Sequence, residues 1–334
     1  MISVEQAKEL ILNNCQASGK SIKINCHKAV GRILATDISA PIDLPPFRQS
    51  AVDGYGIKLS DSIKENWKLI DEVRAGEYKE HPVGKNEAVR IFTGARVPDE
   101  VDCVIMQEFI DIKDNHLSTS NKELLKHNAN IRLKGEQIQK GSIALRKGTI
   151  LSPAAIGFLN ALGIAEVEVV AQPVVGILVT GSELQSPGEP LGKAQIYESN
   201  AIMLKAVLQD TLAIEKINIF RVKDDFALTK ELIQKTVLDS DLVIITGGVS
   251  VGKYDYVRQA LEDLGAEDIF FKIAQKPGKP LYFGKLNGIA IFGLPGNPAA
   301  SLTCYYEYVY PWLIKSLNYT RHHLHKKNLN LSNS

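Results

Sequence analysis

No apolar run in this chain is long enough to cross a membrane. The longest are strand-length and are broken by Gly, Pro or charge within about 10 residues, well short of a spanning helix. A secretory core is missing as well, since Met1 opens directly onto Ser3-Val-Glu-Gln-Ala-Lys-Glu-Leu10. There is little excess charge of either sign. Lys and Arg number 39 against 38 Asp and Glu, and the formal net charge of +1 gives no reason to expect a nucleic-acid-binding surface or an anionic membrane partner. Any anion recognition has to be local. Cysteine is scarce: Cys15, Cys26, Cys103 and Cys304 are scattered with no C-x-x-C pair, so neither a disulfide framework nor a zinc site is suggested. A reduced cytoplasm is the default location.

What remains is ordinary globular material. The 334 residues, 45% hydrophobic and 23% charged, suffice for two or three domains around a well-buried core. One stretch organises the rest, Leu242-Val-Ile-Ile-Thr-Gly-Gly-Val-Ser-Val-Gly-Lys-Tyr-Asp255. Four apolar residues, three of them β-branched, run into a glycine-rich bend and then into Tyr256, Val257, Ala260, Leu261 and Leu264 at helical spacing, which reads as strand, loop and helix. In an open parallel sheet such a loop lies at the carboxyl end of a strand, where backbone N–H groups and a helix N-terminus hold an anion. The expected ligand therefore carries a phosphate.

Upstream, 3–12 is a predicted helix with Ser3 as N-cap, Gln6 three residues on, and Val4, Ala7, Leu10 and Ile11 as its apolar stripe. A second short pattern over 27–36 leads to Pro41. Pro41, Pro45 and Pro46 then mark a stretch that is neither helix nor central strand and place a domain boundary at 44–47. Beyond it, β-favouring runs over 67–73, 88–92 and 103–110, separated by Gly, Pro, Asn and Asp, predict a β-rich inserted domain. Gly135, Gly141 and Gly148 punctuate the return, and a helix over 152–162 follows, capped by Ser152 with Pro153 in its first position. From 173 the alternation is plain: strand 174–180, helix 199–208, strand 216–222, helix 226–238, the organising strand and its helix, strands 269–273, 281–283 and 289–292, and a helix over 298–317. Repeated βα units predict a doubly wound, mostly parallel sheet with helices on both faces. The expected division is 1–45 with 133–172 as a mixed helix and strand domain, 46–132 as the inserted domain, 173–317 as the α/β domain, and 318–334 as a frayed tail.

Several loops carry chemistry. Gly247 to Lys253 spells G-x-x-x-x-G-K, but Tyr254 stands where Ser or Thr should hold Mg²⁺, and a phenol on a bulky ring cannot replace that small hydroxyl. A structural glycine turn and an anion loop remain. Asp255 is either the cap of the following helix or a carboxylate that needs a divalent cation beside a phosphate. Thr180-Gly181-Ser182-Glu183-Leu184 forms a second loop at the same sheet edge, and Asp224 and Asp225 follow the next strand. These acids converge on one crevice, where they repel one another unless a cation intervenes; a solvated helix N-terminus is the plainer reading of the Asp pair. Lys272, Lys276 and Lys279 flank Pro277-Gly278 and Pro280, a rigid turn with mobile point charges suited to an oxyanion, although each lysine alone reads as surface charge. Gly293-Leu-Pro295-Gly296-Asn297-Pro298 opens the last helix as another cradle or a tight connection. Ser50-Ala-Val-Asp53-Gly54-Tyr55 and Ile91-Phe-Thr93-Gly94-Ala95 are, in isolation, turns.

In this order, and together with Asn130-Ile-Arg132 and Gly135-Glu136, these segments resemble the molybdopterin molybdenumtransferase family, which takes in MoeA and the C-terminal domain of gephyrin. The likeness covers residues 1 to 317. It implies an α/β multidomain enzyme of molybdenum-cofactor synthesis with a molybdopterin-binding α/β domain, an inserted β-rich domain and a small linker-dimerisation domain. Such an enzyme takes adenylylated molybdopterin and molybdate, inserts the metal at the dithiolene and releases AMP, with Mg²⁺ assisting cleavage of the pyrophosphate. On that likeness Asp53, Thr93, Glu183, Asp255, Lys272 and Lys276 fall at catalytic positions. Thr180, Gly181, Gly247, Gly248, Ser250, Gly252, Lys279, Pro295, Gly296 and Asn297 bind the pterin and phosphates, and Glu183, Asp224, Asp225 and Asp255 hold the metal. The likeness also implies a homodimer whose cleft combines the α/β domain of one copy with the inserted domain of the other, and the molybdopterin adenylyltransferase as a partner.

Three departures stand out. Ser182 occupies a position where the family usually has Asp. Glu198 precedes Ser199-Asn200 where Asp is usual, and Ala201 follows where Arg is common. The family continues into a further small β domain, whereas this sequence stops at Ser334. They leave room for a non-catalytic pterin-binding or scaffold homologue, and the α/β domain alone also resembles the adenylyltransferase; the retained Asp53 and Thr93 favour the transferase.

Overall fold

The computed structural model describes residues 1–59, 66–77, 82–248 and 256–319. They form two compact units. One comprises 37–146 and 154–165; the other comprises 1–36, 147–153 and the chain from 166 onward.

The first unit is built on a six-stranded sheet in the order Cys103–Met106, Gly54–Ile57, Glu87–Ile91, Asn66–Val73, His116–Ser118, Asp111–Lys113. Only Asn66–Val73 and Glu87–Ile91 run parallel; the other pairings are antiparallel. Alternation sends Val89, Ile91 and Val104 into one buried cluster and Tyr55, Ile57, Trp67, Ala88 and Ile105 into another, so both faces of this small sheet are covered.

The other unit carries a second six-stranded sheet, in the order Ile217–Val222, Val175–Thr180, Leu242–Thr246, Ile289–Leu294, Tyr282–Leu286, Glu267–Phe271. The first three pairings are parallel and the last two antiparallel. Ile177, Val179, Ile244 and Phe292 pack on one face against helices Asn200–Leu212 and Val4–Asn13 and the last helix. Leu178, Val243, Ile245 and Ile291 pack on the other against Phe226–Leu238 and Tyr256–Asp263. Continuous apolar strands covered on both faces are what a doubly wound sheet requires.

The first helix, Val4–Asn13, has the expected capping box: Ser3 Oγ accepts from Gln6 N, and Gln6 Oε1 accepts from Ser3 N. Its buried Ala7 and Ile11 belong to the core of the α/β unit. Strand Ser21–Asn25 pairs with Glu166–Val170, also within that unit. By compactness, 1–36, 147–153 and 166–172 group with the α/β unit, and 37–45, 133–146 and 154–165 with the inserted strands. Periodicity reports which residues of a segment are buried, not which partner buries them. The pattern over 27–36 holds a 3₁₀ turn, Cys26–Lys28, and isolated bridges at Ile33 and Leu34. The helix expected over 298–317 is interrupted. Pro298–Cys304 leads into a π-helical segment, Tyr305–Val309, before Tyr310–Ser316. Pro311 accounts for this, because it has no N–H to give the carbonyl of Glu307 and its ring crowds that carbonyl. Among the described residues no helix is long and apolar enough to cross a membrane.

Candidate functional site

In the β-rich unit the two turns Ser50–Asp53 and Thr93–Ala95 are laced together. Ser50 N donates to Ala95 O at 3.0 Å and Gly94 N to Ser50 O at 2.9 Å, with Gly94 at φ +81°. This brings Asp53 and Thr93, forty positions apart, into direct contact. Asp53 Oδ1 accepts from Thr93 N at 2.8 Å and from Thr93 Oγ1 at 2.7 Å. Those two donors, with Arg90 adding positive potential, hold the Asp53 carboxyl below the usual carboxylate range. Both residues are exposed, and among the described residues Asp53 Oδ2 accepts no hydrogen bond. The result is a fixed, ionised carboxylate with one free oxygen. Gly54 follows because a side chain there has no room: a Cβ would lie 2.0 Å from Ile105 O.

In the α/β unit, the loops after Val175–Thr180, Leu242–Thr246 and Ile289–Leu294 share the carboxyl edge of the parallel strands. Gly247 and Gly248 have φ +84° and +61°; a Cβ on the first would sit 2.4 Å from Thr180 O, and on the second 2.6 Å from Thr180 Oγ1. Backbone therefore passes directly over Thr180, and only glycine permits it. Thr180 Oγ1 is buried without a hydrogen-bond partner among the described residues, an orphaned group at the floor of the loop pair. Ser250, Gly252 and Asp255 lie outside the described residues.

The acidic residues take different parts. Asp225 is the N-cap of Phe226–Leu238, its Oδ1 accepting from Leu228 N at 2.9 Å. Asp224 faces the other way, toward the Thr180–Glu183 loop: Asp224 Oδ2 accepts from Ser182 N, and Asp224 N donates to Ser182 Oγ, both at 3.0 Å. This gives Ser182 a role that its sequence position does not reveal. A hydroxyl closes the clasp without setting a second carboxylate against Asp224. Glu183, exposed, folds back near Gly181, whose φ is +146°. Among the described residues no three His, Cys, Asp or Glu side chains form a group that could hold a metal. The available donors are Glu183 and Asp224, with Asp225 committed to its helix.

The lysine turn is pinned from behind. Gln275 Nε2 donates to Pro277 O at 2.8 Å, Tyr308 OH donates to Gln275 Oε1, and a Cβ on Gly278 would meet Gln275 Nε2 at 2.7 Å and Cys304 Sγ at 2.8 Å. Lys276 and Lys279 are exposed on this rigid turn. Lys272, at φ +66°, is half-buried with Nζ 4.9 Å from the Phe271 ring. Asn297 caps the last helix through Ala300 N at 3.1 Å; Gly296 is exposed and Pro295 buried.

One residue joins two of these loops, a role that its position in the sequence does not reveal. Asn200 Nδ2 donates to Thr246 Oγ1 and to Gly296 O, both at 2.8 Å, fastening the organising loop to the last cradle. Beside it, the buried Glu198 accepts from Ala201 N at 2.7 Å and from Arg221 Nη2 at 3.2 Å, while Arg221 Nη1 donates to Ser186 Oγ at 2.7 Å. In sequence, Glu198-Ser199-Asn200 stands out only as a departure from the family pattern at the start of a helix, with no sign of what Asn200 holds. Asn200→Leu is expected to destabilise the protein by about 1–3 kcal/mol, because the buried Thr246 hydroxyl and the carbonyl of Gly296 lose their shared donor. Thermal unfolding reads this directly, and an unchanged midpoint would remove Asn200 as the fastening.

Residues 2–163 match the family described as the MoeA N-terminal region, domains I and II, and residues 176–315 match one described as a probable molybdopterin binding domain. A molybdopterin molybdenumtransferase of Haemophilus influenzae is 39% identical over 316 residues, 94% of this chain and 78% of that protein. One of Staphylococcus aureus strain COL is 37% identical over 318 residues, 93% of this chain and 74% of that protein. The crystal structure of the molybdopterin biosynthesis protein MoeA of Pyrococcus horikoshii OT3 superimposes with a TM-score of 0.80 at 30% identity, covering 96% of this chain and 81% of that one.

Proposed function

The chain belongs to the molybdopterin molybdenumtransferase family, and from that premise we propose that it inserts molybdenum from molybdate into adenylylated molybdopterin, releasing AMP, in molybdenum-cofactor biosynthesis. The observation that carries the assignment to this chain's own residues is the ionised Asp53 clamped by Thr93, a geometry with a free carboxylate oxygen and no packing purpose. Asp53 is assigned to the hydrogen-bond donors of the substrate, and Thr93 to keeping it charged. Gly247 and Gly248 bring backbone N–H groups to the pterin phosphate over the Thr180 hydroxyl, which has no hydrogen-bond partner among the described residues, and Ser250 and Gly252 are assigned to the same phosphate. Lys272, Lys276 and Lys279 supply positive charge to molybdate and to the departing AMP phosphate.

Glu183 and Asp224 on adjoining loops, with Asp255, suit Mg²⁺ in kind. Mg²⁺ takes one or two carboxylates and completes its shell with water and substrate phosphate, so no all-protein cage is needed. Bound there, the ion supplies charge neutralisation at the pyrophosphate. The working molecule is proposed to be a homodimer acting in the cytoplasm alongside the molybdopterin adenylyltransferase, with 1–45 and 133–172 engaged in contacts between copies. Ile22, Ile42, Leu133, Ile143 and Ile150 of those segments, each 38–44% exposed, support a contact between copies, and the burial of all four cysteines as thiols accords with a reducing compartment.

The test supplies the purified chain with adenylylated molybdopterin, molybdate and Mg²⁺, and measures AMP and molybdenum cofactor. Tight pterin binding without AMP would make the protein a scaffold, and consumption of ATP would make it the adenylylating enzyme. Within the same assay Lys276→Ala is expected to raise the molybdate requirement roughly 10- to 100-fold, the loss of one charged hydrogen bond. An unchanged requirement would take Lys276 out of oxyanion capture.

A further inference from the structure

The loops described above use the carboxyl ends of the parallel strands. At the amino ends of Val175–Thr180, Leu242–Thr246 and Ile289–Leu294 lies a separate cavity of about 370 Å³, within the range of small-molecule pockets. A six-residue strand spans roughly 20 Å, so an occupant of this cavity touches none of the residues of this unit assigned to molybdenum insertion. Its wall includes Asn14, Lys20, Gln172, Asp241, Lys285 and Trp312.

The charges on that wall are incompletely matched. Lys285 is half-buried, and its Nζ donates to the neutral Asn14 Oδ1 at 2.9 Å. Among the described residues neither Lys285 nor Lys20 has a carboxylate within ion-pair distance. The acid of the wall, Asp241, already accepts at Oδ2 from Val174 N at 2.9 Å. A partly desolvated ammonium is stabilised by an anionic group brought to it. Helices Val4–Asn13 and Tyr310–Ser316 both end at this cavity, through Asn14 and through Ser316 and Leu317, and their C-terminal dipoles oppose accumulated negative charge. Together with Asp241 they disfavour a polyphosphate, so a single negative charge at Lys285 is the better match. The apolar side is supplied by Trp312, which is 7% exposed and whose indole N–H has no acceptor among the described residues.

From these observations we propose that the amino-end cavity is a second binding site, for a small organic monoanion with a flat apolar body, its acid group at Lys285 and its ring against Trp312. The site is independent of the transferase reaction. Trp312 also stacks edge-on with Phe292, 6.3 Å away in the central sheet, so an occupant touches a side chain that packs on the aromatic core.

The probe is 8-anilinonaphthalene-1-sulfonate, an aromatic monoanion, titrated into the full chain carrying Trp67→Phe, which leaves Trp312 as the remaining tryptophan of the two. One saturable site with energy transfer from Trp312 is expected. Lys285→Gln, which removes the charge yet can still donate to Asn14, is expected to weaken binding at least tenfold with near-ultraviolet circular dichroism unchanged. The uncharged analogue N-phenyl-1-naphthylamine is expected to bind at least tenfold more weakly than the sulfonate. Equal affinity for the neutral analogue, undiminished binding to Lys285→Gln, or the lack of a saturable transfer signal would each overturn the proposal. Should Trp67→Phe fail to fold, calorimetric titration of the chain with both tryptophans, with and without Lys285→Gln, makes the same comparison.

Discussion

Asp53→Asn is expected to lower molybdenum insertion by roughly 10²- to 10⁴-fold, the range lost with a single acid–base or charge-stabilising group, while the protein stays folded. The reason for separating the two effects is local. The amide oxygen of Asn can still accept from Thr93 N and Thr93 Oγ1, so the turn keeps its lacing. What disappears is the charge, and an N–H₂ takes the place of the oxygen that faces outward. Thr93→Val is the complementary change, because it keeps the backbone donor but deletes the hydroxyl that helps hold Asp53 ionised. Asp53 has a folded-state pKa below its unfolded value. Its charged form, and any stability that depends on it, is therefore fully present above the unfolded value and is lost only as pH falls through the lower folded one. The acid limb of activity due to Asp53 should accordingly lie below the ordinary carboxylate range in the native protein and move toward higher pH in Thr93→Val. Full turnover by Asp53→Asn, or an acid limb that ignores Thr93, would remove this carboxylate from the mechanism.

Gly54→Ala is expected to act on the fold itself, destabilising the β-rich unit by more than about 3 kcal/mol, at or beyond the upper end of usual overpacking costs. The Cβ would meet Ile105 O at 2.0 Å, Ile105 C at 2.9 Å and Met106 Cα at 3.2 Å. All three are backbone atoms of the neighbouring edge strand, paired antiparallel with Gly54–Ile57, so no side-chain rotation relieves the contact. Gly94→Ala serves as the contrast. Its φ of +81° disfavours a side chain, yet nothing lies within 4 Å of the added carbon, and the cost is the conformational one of about 1–2 kcal/mol. Trp67, buried in the same sheet, reports denaturant unfolding of this unit. A Gly54→Ala midpoint no lower than that of Gly94→Ala would show that the two strands part without penalty.

Local chemistry wrote much of this protein legibly. The box of Ser3 and Gln6 stops the first helix where it starts, and Pro298 behind Asn297 opens the last one, because a cap needs only residues within one turn. The apolar runs 242–245 and 289–292, short, rich in β-branched residues and followed by Gly, point to strands buried on both faces. The seven glycine-, proline- and acid-bearing segments, in order, carried the family resemblance that the relatives uphold. Tertiary structure alone decided the rest. It chose between adjacent acids, giving Asp225 to a helix cap and Asp224 to the clasp with Ser182, a choice that depends on which way each side chain faces across two strand ends. It set Thr93 against Asp53 and hung two loops on Asn200, contacts between residues separated by 40, 46 and 96 positions, for which a linear pattern holds no signal. It also assigned 1–36 to the α/β unit, because an amphipathic stripe specifies that it will be buried but only the assembled core supplies the surface that buries it.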